Sequence, residues 1–287
     1  MTALPLVRTF TDASGIDITF FEWPVAKPKA IIQLVHGLGE HARRYDHVAA
    51  ELNRHGYSVY ADDHRGHGLT GVSMIDRKVT KSMGQLGPGG MRATINQIHE
   101  LTDLIHIENP GAPLFLFGHS LGAMISQKLL NQHSADYRGV ILSGSTLMVP
   151  GIVKLDGFNK KWKNTPNASG KEWLASDESV GRAFMADPLC FPEPAAKAFG
   201  ILDAAVLSGV PSRKIDADMP ILIFAGSDDP IGGERGNKLL MNAYRRAGVH
   251  DVTLIIYEGM RHEALNDVNK EEVLADIMSW LEESLDD

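Results

Sequence analysis

The run Gly118-His119-Ser120-Leu121-Gly122 carries the most specific chemistry in the chain. It follows an apolar stretch, Leu114–Phe117, and precedes a helical pattern, Ala123–Leu130. Gly-x-Ser-x-Gly between a strand and a helix is a nucleophile elbow, a turn so tight that the flanking side chains must be hydrogen atoms. Such a turn lifts the Ser120 hydroxyl above the sheet and leaves the Leu121 N–H at a helix start, free to bind an anion. A hydroxyl is a weak nucleophile until a base takes its proton and a third group orients that base. Behind an elbow the partners come later, acid before histidine. The stretch Ile221–Ala225 runs into Gly226-Ser227-Asp228-Asp229-Pro230, and Thr253–Tyr257 runs into Glu258-Gly259-Met260-Arg261-His262-Glu263. Of 12 histidines, His262 is singled out because it stands just past the last apolar stretch, on the rim expected for Ser120. Asp228 and Asp229 are adjacent and only one can face His262; Asp229, further from the strand end and stiffened by Pro230, is favoured.

A second informative run is His36-Gly37-Leu38-Gly39-Glu40-His41, after Ala30–Val35. It resembles the oxyanion loop of α/β-hydrolases, which implies the Leu38 N–H as the second anion donor beside that of Leu121. Losing one such donor costs about 3–4 kcal/mol of transition-state stabilisation. The same residues make a passable dinucleotide fingerprint, Gly37-x-Gly39-x-x-Ala42 with Asp62 about 20 residues on. That rival leaves the elbow, Asp229 and His262 unexplained. Asp62-Asp63-His64-Arg65-Gly66-His67-Gly68 gathers acids and imidazoles, but Gly66 and Gly68 favour a buttressed turn over a ligand-bearing helix. Neither a metal nor an organic cofactor is expected.

These residues need a frame that brings them to one edge. Short apolar runs at Ala30–Val35, Ser58–Ala61, Leu114–Phe117, Gly139–Leu142, Ile221–Ala225 and Thr253–Tyr257 alternate with helical patterns at about 41–54, 91–107, 120–132, 234–247 and 270–283. That alternation predicts an α/β chain with a mostly parallel central sheet covered by helices on both faces. An antiparallel pair, Val7–Phe10 and Ile16–Phe21, precedes it. From Leu147 to Pro211 no strand pattern occurs, a span too long for a plain loop. It is expected to be a helical cap, dividing the chain into a core of 1–146 and 212–287 and a cap of 147–211. Its Met148, Phe158, Trp162, Trp173, Phe184, Met185, Phe191 and Phe199 are candidates for an apolar acyl pocket.

Composition narrows the partners. In 287 residues, 36 acidic and 28 basic side chains leave a net charge of −8, which offers no footprint for nucleic acid or an anionic membrane. Cys190 is the single cysteine, so a disulfide framework and a thiolate-rich metal site are excluded. The first residues lack a secretory pattern and no apolar run reaches the ~18 residues of a membrane span. A cytoplasmic protein without an integral membrane segment is expected.

With these motifs in view, the chain resembles the monoacylglycerol lipase and lysophospholipase branch of the α/β-hydrolases, the serine aminopeptidase S33-like group. The resemblance rests on His36–His41 with Arg44-Tyr45, Asp63–Gly68, the elbow, Gly226-x-x-Asp229, and Gly259–Glu263 followed by Leu265-Asn266. It implies Ser120 as nucleophile, Asp229 as acid, His262 as base, and Leu38 with Leu121 as oxyanion donors. Thr70 and Asp267 depart from the group's frequent serine and glutamate. The expected activity is a serine carboxylester hydrolase acting through an acyl-enzyme on single-acyl lipid esters, a monoacylglycerol or a lysophospholipid. Two alternatives are an aminopeptidase, for which Glu40 is the one evident carboxylate, and a binding protein on a hydrolase scaffold. Oligomeric state is not indicated.

Overall fold

Strands β3 (Ala30–Val35), β4 (Tyr57–Asp62), β5 (Leu114–His119), β6 (Gly139–Ser143) and β7 (Ile221–Gly226) are buried at every residue in the computed structural model of the chain. Continuous burial is what helices on both faces of a parallel sheet impose. The structure describes residues 4–149 and 157–286; the very first residues of the leader reading and residues 150–156 of the expected cap lie outside that range. With β1 (Leu6–Thr11), β2 (Asp17–Trp23) and β8 (Val252–Tyr257), the described strands form one sheet of order β1-β2-β4-β3-β5-β6-β7-β8. β1–β2 and β2–β4 are antiparallel and the remaining pairs parallel.

Alternate residues feed two cores. On β5, Leu114 and Leu116 face one and Phe115 and Phe117 the other. The first core is closed by α3 (Gly90–Glu108), α4 (Leu121–His133) and α8 (Gly233–Ala247), through residues such as Ile98, Leu129 and Leu240. The second is closed by α1 (Asp46–Arg54) and α9 (Lys270–Asp286), through Leu52, Ile277 and Leu281. Each such side chain contributes about 1.5–3 kcal/mol on burial. Phe117, Phe224 and Tyr257 meet edge to face across β5, β7 and β8, at centroid distances of 6.2 and 6.1 Å.

One local expectation is corrected and one element is added. The helix expected from residue 41 is broken: Ala42–Tyr45 is a 3₁₀ turn and α1 starts at Asp46. The Asp63 carboxylate takes the Ala42 N–H at 2.9 Å, and Tyr45 turns inward to donate to Glu40, which holds this stretch as a separate turn. Helix α2 (Gly68–Asp76) follows the Asp62–Gly68 turn, in a stretch to which the sequence reading assigned no element. Asp63 holds its start too, accepting the Leu69 N–H at 2.7 Å.

Between β6 and β7 the described residues hold a 3₁₀ turn (Phe158–Trp162), α5 (Glu178–Ala186), α6 (Ala195–Ala198) and α7 (Ile201–Val206), and no strand. No helix of the described residues is long and apolar enough to cross a membrane.

Candidate active site

The parallel strands deliver the chemical residues to one rim, at their carboxyl ends, where α/β sheets place ligands. β3 runs into the His36–His41 loop, β5 into Ser120, β7 into Asp229 and β8 into His262. Ser120 adopts φ +52°, ψ −116°, a backbone conformation sterically costly for any residue with a Cβ. Its own N–H donates to the Ser143 carbonyl at 2.9 Å, which pins the turn to β6. The flanking glycines are required by close approach. A Cβ on Gly118 would stand 2.5 Å from Ser126 Oγ, and one on Gly122 would overlap the Val35 carbonyl.

Three distant stretches converge there. His262 Nε2 lies 2.9 Å from Ser120 Oγ, and His262 Nδ1 lies 3.0 Å from Asp229 Oδ1. All three residues are buried. Asp229 Oδ1 also accepts the Ile231 N–H at 2.9 Å, while Oδ2 has no hydrogen-bond partner among the described residues. Asp228 points elsewhere, to Lys161 Nζ at 2.5 Å. Burial pulls the His262 imidazole down, but the Asp229 carboxylate outweighs it, and the group titrates above its ordinary value. His119, with its ring 4.9 Å from that of His262, behaves oppositely: burial first, then the neighbouring His262, push it down to about 4. The arrangement can pass a proton from Ser120 to His262, with Asp229 holding the ring.

The His36–His41 loop is held from behind. His36 Nδ1–H donates to the Gly37 carbonyl at 2.8 Å, while Nε2 accepts the His64 N–H at 3.2 Å, which fixes the tautomer of a neutral ring. Burial and then the stacked His64, 3.7 Å away, hold the His36 imidazole well below its ordinary value. Glu40 Oε1 accepts the Gly37 N–H at 2.6 Å. Both sides of Gly37 are thereby clamped, so the peptide carrying the Leu38 N–H has a set orientation. Leu38 and Leu121 both border the cavity over Ser120.

Arg44 joins this loop to the histidine loop, a link that sequence inspection missed. Its guanidinium reaches Glu40 at 2.5 Å and Glu263 at 2.8 and 2.7 Å, and Asn266 donates to Glu263 at 2.8 Å. Although burial pushes the Glu263 carboxyl up, Arg44 pulls it down to about 2. The Arg44-Tyr45 pair after the His36–His41 loop was the available signal; its partner Glu263 stands 219 residues away in the sequence. Asp62, the ribose ligand of the dinucleotide rival, is fully buried and accepts from His64 and Gln97 at 2.8 Å each.

A cavity of roughly 430 Å³ opens over Ser120. Of the eight residues proposed for an acyl pocket, Met148, Phe158, Trp173, Phe184, Phe191 and Phe199 border it. Trp162 and Met185 do not: the Trp162 ring carries the Arg261 guanidinium at 4.6 Å, and Met185 is exposed. The residues between β6 and β7 rest on the Gly39 and His262 loops through their main chain. Leu174 and Trp173 carbonyls accept the N–H groups of Glu263 and His262 at 2.6 and 3.4 Å, and the Phe191 N–H donates to Gly39 at 2.9 Å. Asp267 accepts the Arg261 N–H at 2.9 Å and also holds Ser176, so this departure from the group's usual glutamate braces the loop of His262.

Comparison with known proteins places this site in a family. The profile described as serine aminopeptidase, S33, matches residues 26–269. The chain belongs to that family. It is similar to a monoacylglycerol lipase of Mycolicibacterium smegmatis, 27% identical with 96% of each chain covered. It is also similar to the monoglyceride lipase of Rattus norvegicus, 30% identical with 90% of this chain and 84% of the rat protein covered. Among solved structures it resembles a thermostable carboxyl esterase from Bacillus coagulans in complex with glycerol, at a TM-score of 0.83 and 26% identity, covering 99% and 100% of the two chains. The fold is the α/β-hydrolase fold, and the chain stands on the monoacylglycerol lipase branch as a carboxylester hydrolase.

Proposed function

We propose that the protein hydrolyses single-acyl lipid esters, of which monoacylglycerols are the best-supported substrates, by a Ser120–His262–Asp229 triad. The observation that carries this reading is the unbroken line from Ser120 Oγ through His262 to Asp229 at the floor of a largely apolar cavity. His262 takes the Ser120 proton as the hydroxyl attacks the ester carbonyl, and the N–H groups of Leu38 and Leu121 receive the oxyanion. The protonated imidazole then gives its proton to the departing alcohol. It next activates water against the acyl-enzyme, releasing the fatty acid and restoring Ser120.

Segment 147–211 serves as the cap over this pocket, with Met148 and Phe199 among the apolar side chains for the acyl chain. The lipase names of the relatives favour a monoacylglycerol over a lysophospholipid. An aminopeptidase needs a free carboxylate for the substrate amine. Glu40 and Glu263 border the cavity, but both are already committed to Arg44.

The test is a panel of glycerol monoesters of graded chain length beside a lysophosphatidylcholine and an aminoacyl amide, with a fluorophosphonate probe as a separate readout. The expected result is covalent labelling of the natural protein, none of Ser120→Ala, and highest kcat/KM on a long-chain monoester. Labelling without any preference for longer chains overturns the acyl-pocket reading. Absence of labelling in the folded protein overturns the triad.

A further inference from the structure

We propose that His99, His133 and Asp136 form a binding site for a divalent transition-metal ion of the zinc class, remote from the ester-hydrolysing centre. His99 lies mid-way along α3, His133 ends α4, and Asp136 closes the 3₁₀ turn Ser134–Asp136 that leads into β6. Ser120 is separated from His133 by the length of α4, about 20 Å.

The geometry is close to what a tetrahedral ion requires. Asp136 Oδ2 stands 2.8 Å from His99 Nε2 and 3.8 Å from His133 Nδ1. One ligand atom from each of the three residues lies within 4.8 Å of the other two. Ligands held about 2.0–2.1 Å from zinc at tetrahedral angles are about 3.3 Å apart, so the two measured separations straddle the required value. The imidazole centroids lie 3.6 Å apart with the rings tilted by 30°, and all three residues are partly open to solvent.

A further feature favours a cation. Behind His99, Asp103 Oδ2 stands 3.7 Å from Nδ1 on the next turn of α3. On binding, the His99 proton moves from Nε2 to Nδ1, where Asp103 receives it as a hydrogen bond, the carboxylate–histidine–metal arrangement that orients metal-bound imidazoles. No proton leaves the ring, and solvent completes the coordination. The Asp136 backbone is fixed from the other side, its carbonyl accepting from His106 Nε2 at 2.9 Å.

The experiment is calorimetric titration with zinc chloride, together with thermal melts, on the full chain carrying Cys190→Ser. That change removes the other His/Cys/Asp group of the described residues, His41 with Asp187 and Cys190, from competition. The expected result is one zinc per chain, with Tm rising by about 5 °C at a hundredfold excess of free zinc over Kd. Affinity falls at least tenfold in His99→Ala and in His133→Ala, and about tenfold in Asp103→Asn. Should an alanine variant fail to fold, His133→Gln and Asp136→Asn serve instead, and copper(II) electron paramagnetic resonance reads the two nitrogen ligands directly. No binding at millimolar zinc overturns the proposal, as does binding that the variants leave unchanged.

Discussion

At the scale of single residues the site is ruled by which group faces which. Asp229 and Asp228 are chemically identical neighbours, yet one meets His262 and the other Lys161. Asp229→Asn is therefore expected to lower kcat by about 10³–10⁴-fold, because an amide stabilises the wrong histidine tautomer. Asp228→Asn should change kcat less than twofold, and steady-state kinetics on one ester separates the two. His262 sets the pH response. In the proposed triad its neutral form is the base, and the Asp229 carboxylate holds its titration above that of a free imidazole. Activity should fall on acidification with a midpoint above about 6.5. Glu263, held at about 2, stays ionised throughout that range and leaves the acid limb to the histidine. A kcat/KM profile between pH 5 and 9 checks this, and Asp229→Asn should move the midpoint downward.

At the scale of elements, burial explains what could be read from sequence. β3, β5 and β7 are apolar, short and bounded by turn residues because both of their faces are covered, and such runs are conspicuous. The chain stretches that carry Ser120, Asp229 and His262 were legible for the same reason, since each follows a strand end. Less legible were elements held by polar contacts with remote partners. The 3₁₀ turn Ala42–Tyr45 and helix α2 both hang on the Asp63 carboxylate, and no periodicity announces a carboxylate that caps two segments. The stretch between β6 and β7 showed in the sequence only as an interruption, because it meets the loops of Gly39 and His262 by main-chain hydrogen bonds, which are indifferent to side-chain type. The clearest consequence lies in the bridge made by Arg44. Its removal leaves Glu40 and Glu263 buried with uncompensated charge, so Arg44→Ala should destabilise the fold by about 3–5 kcal/mol in urea unfolding. Arg44→Lys should recover only part of this, because an ammonium lacks the planar fork that reaches both carboxylates.

For the whole molecule, the two cores and the parallel strands form a rigid support on which a small amount of strain is concentrated. The left-handed backbone of Ser120 is the clearest instance, held by β6 on one side and by the helix that follows on the other. Thermostability and catalysis thus make opposite demands on position 120. Ser120→Gly and Ser120→Ala both lose the hydroxyl and should be equally inert, but only glycine relaxes the turn. The glycine protein should consequently melt about 2 °C above the alanine one, a gap of about 1 kcal/mol after the greater freedom of the unfolded glycine chain is counted. Calorimetry on the two dead proteins would measure how far heat resistance has been surrendered to keep a reactive oxygen aloft.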